Sequence, residues 1–369
     1  MTVNSGFSAK FVIILFLNLS PAFSYTIASQ ETEEHTHQAE SEEQNKGFKP
    51  SDFIFDHIKD AYDWHILTYK DFHLSIPLPV IVYSKTKGLN VFLSSKFQHG
   101  HNSYKGFKIA HEGKYEGKVV ELMEDGTDIR PIDLSISKNV FAIFICIILL
   151  LWVFISVARV YKNNQGKAPK GLQNFVEPII LFIRDEIAIP SIGEKKYEKF
   201  MPFLLTLFFF IWINNMMGLI PIFPGGANVT GNITVTMVLA AFTFVVTAIN
   251  GNKFYWQEIF NAPGIPFWLK IPLPLVPIIE IIGMLTKPLI LMIRLFANIT
   301  AGHIIALGFF SLIFVFGDMQ VILGFGVSPL SILFTIFMTF LELLVALIQA
   351  YVFTLLSALY FGMATAEHH

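Results

Sequence analysis

The chain has 369 residues, of which 53% are hydrophobic and only 15% charged, with 38 phenylalanines and a mean hydropathy of +0.57. Soluble domains carry roughly 25% charged residues, so a purely soluble globular protein is excluded and an integral membrane protein with an attached extramembrane part is implied. A net charge of −2 gives no sign of a nucleic-acid partner, and a single cysteine, Cys146, excludes a disulfide framework or a paired-cysteine metal site.

Residues 1–24 place Lys10 before an apolar run, Phe11 to Leu19, and then small residues. This reads as a secretory signal peptide ending near Ser24, with an uncleaved anchor as the alternative; either way the next stretch is exported. Residues 25–50 include "ETEEHTHQAESEEQ", acidic and without apolar periodicity, and are expected to be disordered, with His35 and His37 part of a solvated tail rather than a metal site. Residues 51–137 form a small extramembrane module. "DFIFDHIKDAYDWHIL" is expected to be an amphipathic helix, and "LSIPLPVIVYS", "LNVFLSS" and "GKVVELM" are expected strands between glycine-containing turns.

The membrane domain, 138–369, starts with Val140 to Ala158, 19 uncharged residues and long enough to span. Arg159, Lys162, Lys167 and Lys170 follow at once, whereas Arg130 and Lys138 before the span are offset by Asp128 and Asp133. The positive-inside rule puts residue 159 in the cytoplasm, which agrees independently with an exported N-terminal region. "GLQNFVEPIILFIRDEIAIPSIGEKKYEKF" fits an amphipathic helix on the cytoplasmic surface. Met201 to Ile222 and Ile233 to Ile249 are the next spans, joined by the uncharged "FPGGANVTGN", with Asn214, Asn215 and Gly218 expected to mediate close helix packing. The stretch "NAPGIPFWLKIPLP" is a linker.

Two segments are longer than a bilayer requires. Pro277 to Gly317 is 41 residues, about 60 Å as a helix, and Pro329 to Thr365 is 37 residues, about 55 Å, against a hydrocarbon core about 30 Å thick. Both must tilt, break or lie partly along the membrane, with Pro288 a candidate kink. The fold class is therefore all-α integral membrane protein, about five transmembrane helices with the last two long and strongly tilted, a cytoplasmic amphipathic helix and a β-rich periplasmic module.

The first long segment carries Glu280, Lys287 and Arg294 at intervals of seven, on one helical stripe, with Asn298 one turn past Arg294, and His303; the second carries Glu342 and Gln349. Intramembrane polar groups face a water-filled path or a partner, although Lys287 and Glu280 are also placed to snorkel to headgroups. Arg294 is the exception that demands a function. An arginine at the middle of a span costs about 2.5–3.5 kcal/mol even on the lenient insertion scale. It does not release its proton, so it acts as a fixed charge that attracts a carboxylate and keeps it ionised. His303 and Glu342 carry protons, because histidine titrates near neutrality and a buried glutamate shifts toward it. One permanent charge with protonatable neighbours is the inventory of a proton path with an electrostatic gate. A secondary transporter usually shows repeated halves, and no internal repeat is visible; a membrane metalloprotease needs a cluster such as HExxH, and none is present.

"LMIRLFANITAGHI", preceded by "IIEIIGMLTKP" and followed by "FLELLVALIQAYVFTLLSALY", closely resembles subunit a of the F-type ATP synthases. "FIWINNMMGLIP" and "ANVTGNITVTMVLA" match that family's preceding hairpin. The resemblance is strong over 139–364 and weak over 50–90. It implies a non-catalytic proton-channel subunit of a rotary complex in a bacterial inner membrane, with the N-terminal region periplasmic, the C-terminus cytoplasmic and no cofactor or metal. Two offset half-channels lie against a rotating c-ring that bears membrane-embedded carboxylates, with the b-subunit peripheral stalk and the complete complex as further partners. Arg294 would be the stator charge, Glu342, His303, Gln349, Asn298 and Glu280 would belong to the proton path, and Gly302, Asn214 and Gly218 would pack the helices beside it. Many bacterial members have a glutamate where this chain has His303 and a histidine where it has Glu342; the exchanged order is that of mitochondrial members. The signal peptide and the extended 25–137 region are absent from the best-known members.

Overall fold

A computed structural model of the chain describes residues 48–366 apart from 70–71, 101, 112, 124–126, 164–167, 221–222 and 262–274. The signal peptide, nearly all of the acidic segment and the 262–274 linker lie outside the described residues. Among those described, five helices are long and apolar enough to cross a membrane.

The module opens with helix α1, Pro50–Ile58. Three small antiparallel sheets follow. Strands β1 (Asp63–Tyr69) and β2 (Phe72–Pro77) pair with each other. β3 (Pro79–Ser84) lies between β4 (Gly88–Leu93) and β8 (Ile132–Asp133), and β6 (Val119–Leu122) lies between β5 (Phe107–Ile109) and β7 (Asp128–Ile129). Val80, Val82, Phe92, Phe97, Phe107 and Val119 form the core, with Tyr62 at its edge. The Tyr62 hydroxyl donates to Asp133 and accepts from the Val119 amide, which ties the sheets together.

Two expectations here are corrected. The helix expected over 52–67 stops at Ile58 and the chain enters β1 at Asp63. Tyr62 and Trp64 are both buried, and burial two residues apart suits extended chain, not helix. "LSIPLPVIVYS" is two strands of different sheets, β2 and β3, separated at buried Leu78. Pro77 and Pro79, which carry no N–H for a ladder, flank that break.

The membrane helices are α2 (Lys138–Asn163), α5 (Tyr197–Leu219), α6 (Ile233–Asn250), α8 (Leu275–Met319) and α9 (Val321–Thr365), with short α7 (Lys253–Asn261) between α6 and α8. Between α2 and α5, the single amphipathic helix expected is instead α3 (Leu172–Phe182), a π-helical stretch Ile183–Ala188, and α4 (Ile189–Ile192), ended by Gly193. Pro190 has no N–H to offer the Glu186 carbonyl, and at this point the ladder widens: the Ile189 amide reaches back five residues to Arg184.

α8 and α9 form one antiparallel hairpin that turns at Gln320. Each has 45 residues, about 67 Å. The last helix thus begins eight residues before Pro329, not at it. Pro329 leaves the Phe325 carbonyl without its helical donor, and the Ser328 hydroxyl donates to that carbonyl at 3.0 Å, so the helix continues through the proline. Pro288 likewise lies inside a continuous α8.

α5 is the most enclosed of the five helices. Leu204, Phe208 and Ile211 on it pack with Leu291 and Leu295 of α8 and with Phe353 and Phe361 of α9. The module docks where α2 begins: Trp64 packs with Ala142, Ala227 and Val229, and meets Phe141 and Phe223 edge to face. The Lys138 and Asn139 amides donate to the Ala61 carbonyl and to Asp60. Phe48 and Phe53 lie against Phe314 near the end of α8, and the Phe48 amide donates to Asp318. At the opposite end of the bundle, Lys196 donates to the Thr365 carbonyl and the Asn252 amide to the Ala364 carbonyl.

Candidate functional site

The hairpin brings His303 and Glu342 together. Nδ1 of His303 lies 3.4 Å from Oε1 of Glu342, with side-chain exposures of 15% and 11%. Gly302 and Gly218 make room for them. A β-carbon on Gly302 would meet Glu342 Oε1 at 2.6 Å, and one on Gly218 of α5 would lie 3.6 Å from His303 Nε2 and 3.3 Å from the Ala227 carbonyl. Two glycines expected to serve helix packing therefore each adjoin one member of the pair. The Glu342 Oε1 atom is buried and makes no hydrogen bond of ordinary geometry among the described residues.

Arg294 lies nine residues from His303 along α8, about 13 Å toward the other end of the hairpin. It is exposed and has no ion-pair partner among the described residues. Its neighbours on the same face, Ile290, Ile293, Ala297, Asn298 and Ala301, are exposed too. Three of those five are small or polar, so the backbone there is accessible to a second helix. Gln349 lies seven residues from Glu342 along α9, about 10 Å in the same direction as Arg294. The two are thus at similar height, but Gln349 is buried and Arg294 faces outward. Glu280 is exposed near the start of α8. Lys287 lies between Glu280 and Arg294 on the same continuous helix, at intervals of seven residues, and its ammonium sits over the Tyr360 ring of α9, 5.7 Å from the ring centre.

Asn214 donates to the Phe210 carbonyl at 2.7 Å and to Cys146 Sγ of α2 at 3.1 Å. Asn215 donates to the Ala346 carbonyl of α9 at 3.2 Å and accepts from the Thr230 hydroxyl. Thr230 belongs to a part of the site that sequence reasoning missed. The uncharged loop after Phe223 folds into the protein, burying Ala227, Asn228, Val229 and Thr230. Asn232 caps α6 by accepting the Thr234 amide. The available signal was the run of small residues and single-hydrogen-bond side chains without a charge: non-helical backbone at this depth is tolerated only when enclosed by protein.

The sequence model of the family described as ATP synthase A chain matches residues 140–362. A second model, described as a domain of unknown function, matches residues 53–135. ATP synthase subunit a 2 of Chlorobaculum tepidum is 45% identical over 246 residues, which cover 65% of this chain and 66% of the relative. ATP synthase subunit a of Chloroherpeton thalassium is 42% identical, covering 64% and 68%. That of Anaeromyxobacter dehalogenans is 36% identical over 280 residues, covering 73% and 70%. The chain spans about two thirds of the length of the first of these relatives.

Proposed function

The chain belongs to the ATP synthase A chain family, and from that premise we propose that it is the non-catalytic, proton-translocating membrane subunit of a rotary ATP synthase, acting against a c-ring and held by a b-subunit stalk. The observation that carries this reading is Arg294. It is a permanent charge in a helix of membrane length, without an ion-pair partner among the described residues, on an open face lined by Ala297 and Ala301. A ring carboxylate arriving from another chain meets that charge, and the attraction lowers the carboxylate's proton affinity where release is needed. The charge also repels a proton moving directly between the two sides.

The His303–Glu342 pair is the inlet relay. Its nitrogen and oxygen lie 3.4 Å apart, each on a side chain able to bind and release a proton, so a small movement brings them into hydrogen-bonding distance. Gln349 and Asn298 flank the arginine as hydrogen-bonding groups. Beyond Arg294, the Thr243 and Ser357 hydroxyls, 3.4 Å apart, and the Lys287–Tyr360 contact supply polar groups for the outlet, with Glu280 at its mouth. Signal cleavage near Ser24, a periplasmic module and a cytoplasmic C-terminus complete the reading; the loop charges around α2 and the exported N-terminal sequence support that orientation.

The test is Arg294→Ala in membrane vesicles carrying the assembled complex. Proton-driven ATP synthesis is expected to be abolished while the subunits still copurify. Synthesis at the wild-type rate overturns the reading. Arg294→Lys is expected to fail as well, because a lysine ammonium does not reproduce the planar guanidinium fork.

A further inference from the structure

The outer face of the β4–β3–β8 sheet is apolar and open. Tyr83 on β3 stands opposite Leu89 on β4 and Ile132 on β8, so the three share a face. Val91 and Leu93 follow Leu89 at intervals of two, and Leu134, whose amide donates to the Ile81 carbonyl, follows Ile132. All six are between 46% and 64% exposed. Val80, Val82 and Phe92, which point the other way, are buried in the module core, so both faces of this sheet are apolar. A half-solvated antiparallel sheet commonly alternates apolar with polar residues instead. The six side chains present roughly 600 Å² of accessible surface, the upper end of the largest patch on a typical monomer and approaching the roughly 800 Å² per partner of a standard interface.

The patch looks away from the membrane helices. Behind the sheet, Phe92 meets Phe97 edge to face, and Phe97 lines a cleft bounded by Gly225 and Gly226 of the loop between α5 and α6. The core and the cleft thus lie between the sheet and the bundle, and the outer face is on the far side. The sheet is rooted at α2: the Ile136 amide donates to the Pro79 carbonyl, and α2 begins at Lys138. α2 packs on α5 through Phe154 and Cys146, and α5 packs in turn on α8 and α9. A protein seated on Arg294 of α8 therefore leaves the sheet face open.

We infer that this face binds the same face of a second copy of the chain, pairing two complexes through their modules. Copies in one membrane share one orientation, so the twofold axis relating two of them runs along the membrane normal and brings identical patches together. Two sheets stacked about 10 Å apart interdigitate side chains of this kind. Lys85 and Arg130 are exposed at the end of the patch remote from Ile136, and the axis sets these like-charged ends side by side. Apolar burial is therefore the attraction, and the rim charges oppose it. An acidic protein or an anionic lipid surface would instead be drawn to those cations. The inference concerns the module alone and does not depend on the proton-path reading.

The test uses the full chain in native membrane fragments open to reagent on both sides. Val91→Cys and Leu134→Cys are made singly and treated with a short bis-maleimide; the native Cys146 is buried. A product of twice the chain's mass is expected from both, and not from Lys114→Cys on the exposed β5–β6 turn. After gentle extraction, mass photometry is expected to count paired complexes, and Val91→Asp, which would bury a carboxylate at the contact, to reduce them about tenfold or more. Val91→Thr is expected to keep most of them. Added salt, which screens the rim cations, is expected to raise the paired fraction. Absence of the doubled product, a patch cysteine joined only to a chain of different mass, pairs that persist in Val91→Asp, or release by salt each overturns the inference. The proton-path reading is judged separately, by whether Arg294→Ala abolishes ATP synthesis.

Discussion

Oε1 of Glu342 lies 2.6 Å from the position a β-carbon on Gly302 would take, so a glycine on one helix keeps open the space that a carboxylate on the next one fills. Gly302→Ala is expected to push Glu342 away from His303 and to lower proton-driven ATP synthesis by about tenfold, since an ångström of misplacement in a transfer site acts on at least that scale. Gly218→Ala is expected to cost less, because its methyl would have 3.3 Å to the Ala227 carbonyl and 3.6 Å to His303 Nε2. Synthesis rates in vesicles with equal amounts of assembled complex rank the two; a harmless Gly302→Ala would refute the account of Gly302.

His303→Leu and Glu342→Leu are each expected to slow proton uptake strongly. The double exchange, His303→Glu with Glu342→His, restores the same two groups at the same contact and is expected to recover more activity than either single exchange. Recovery of that kind is a non-additive coupling, which independent sites do not show. A double exchange no better than its worse single variant would contradict a shared relay.

Trp64 is buried between the module and the membrane helices, in contact with Phe141 and Phe223. Trp64→Ala is expected to cost about 3–5 kcal/mol of module docking, the usual range for a buried tryptophan. Hydrogen exchange on the solubilised chain checks it: protection should fall over β1 and the start of α2, and remain in the core of α5.

Burial alone would raise the carboxyl pKa of Glu121, but donation from the Ser84 and Thr86 hydroxyls and the Lys87 ammonium outweighs it and holds the carboxyl below its ordinary value. A depressed carboxyl stabilises the fold above its unfolded pKa and loses that contribution as pH falls through the folded value. The amides of Val119–Leu122 are therefore expected to lose protection below about pH 4, beyond the intrinsic change in exchange rate. Glu121→Gln is expected to flatten that dependence.

The contact between His303 and Glu342 was legible in the sequence. With Gln349 set level with Arg294, as the family resemblance implies, nine residues along one helix and seven along the other bring His303 and Glu342 to similar heights. Gly302 on the same segment and Gly218 in the preceding hairpin were expected to serve helix packing, not to adjoin the two members of the pair. Where reasoning failed, the deciding partner was distant in sequence or the local rule had a compensation. Pro329 reads as a helix start until Ser328 is seen to serve the Phe325 carbonyl. The split at Leu78 and the early end of α1 depend on which sheet each strand joins, which no local pattern encodes. The burial of Asn228 and Thr230 depends on α5 and α8 enclosing their loop. That Arg294 needs a partner was read from the cost of burying its charge, and that the partner comes from another chain was implied by the family resemblance.

The order in which the chain is made has a consequence of its own. α9 is synthesised last, and it provides Glu342 and Gln349 as well as the carbonyls of Ala364 and Thr365 to which Asn252 and Lys196 donate. Until it is inserted, the membrane already contains Arg294 and His303 but not the carboxylate that completes the pair. A chain that stops short of Glu342 therefore lacks the His303–Glu342 contact, and one that stops short of Ala364 lacks the carbonyls to which Asn252 and Lys196 donate at the far end of the bundle.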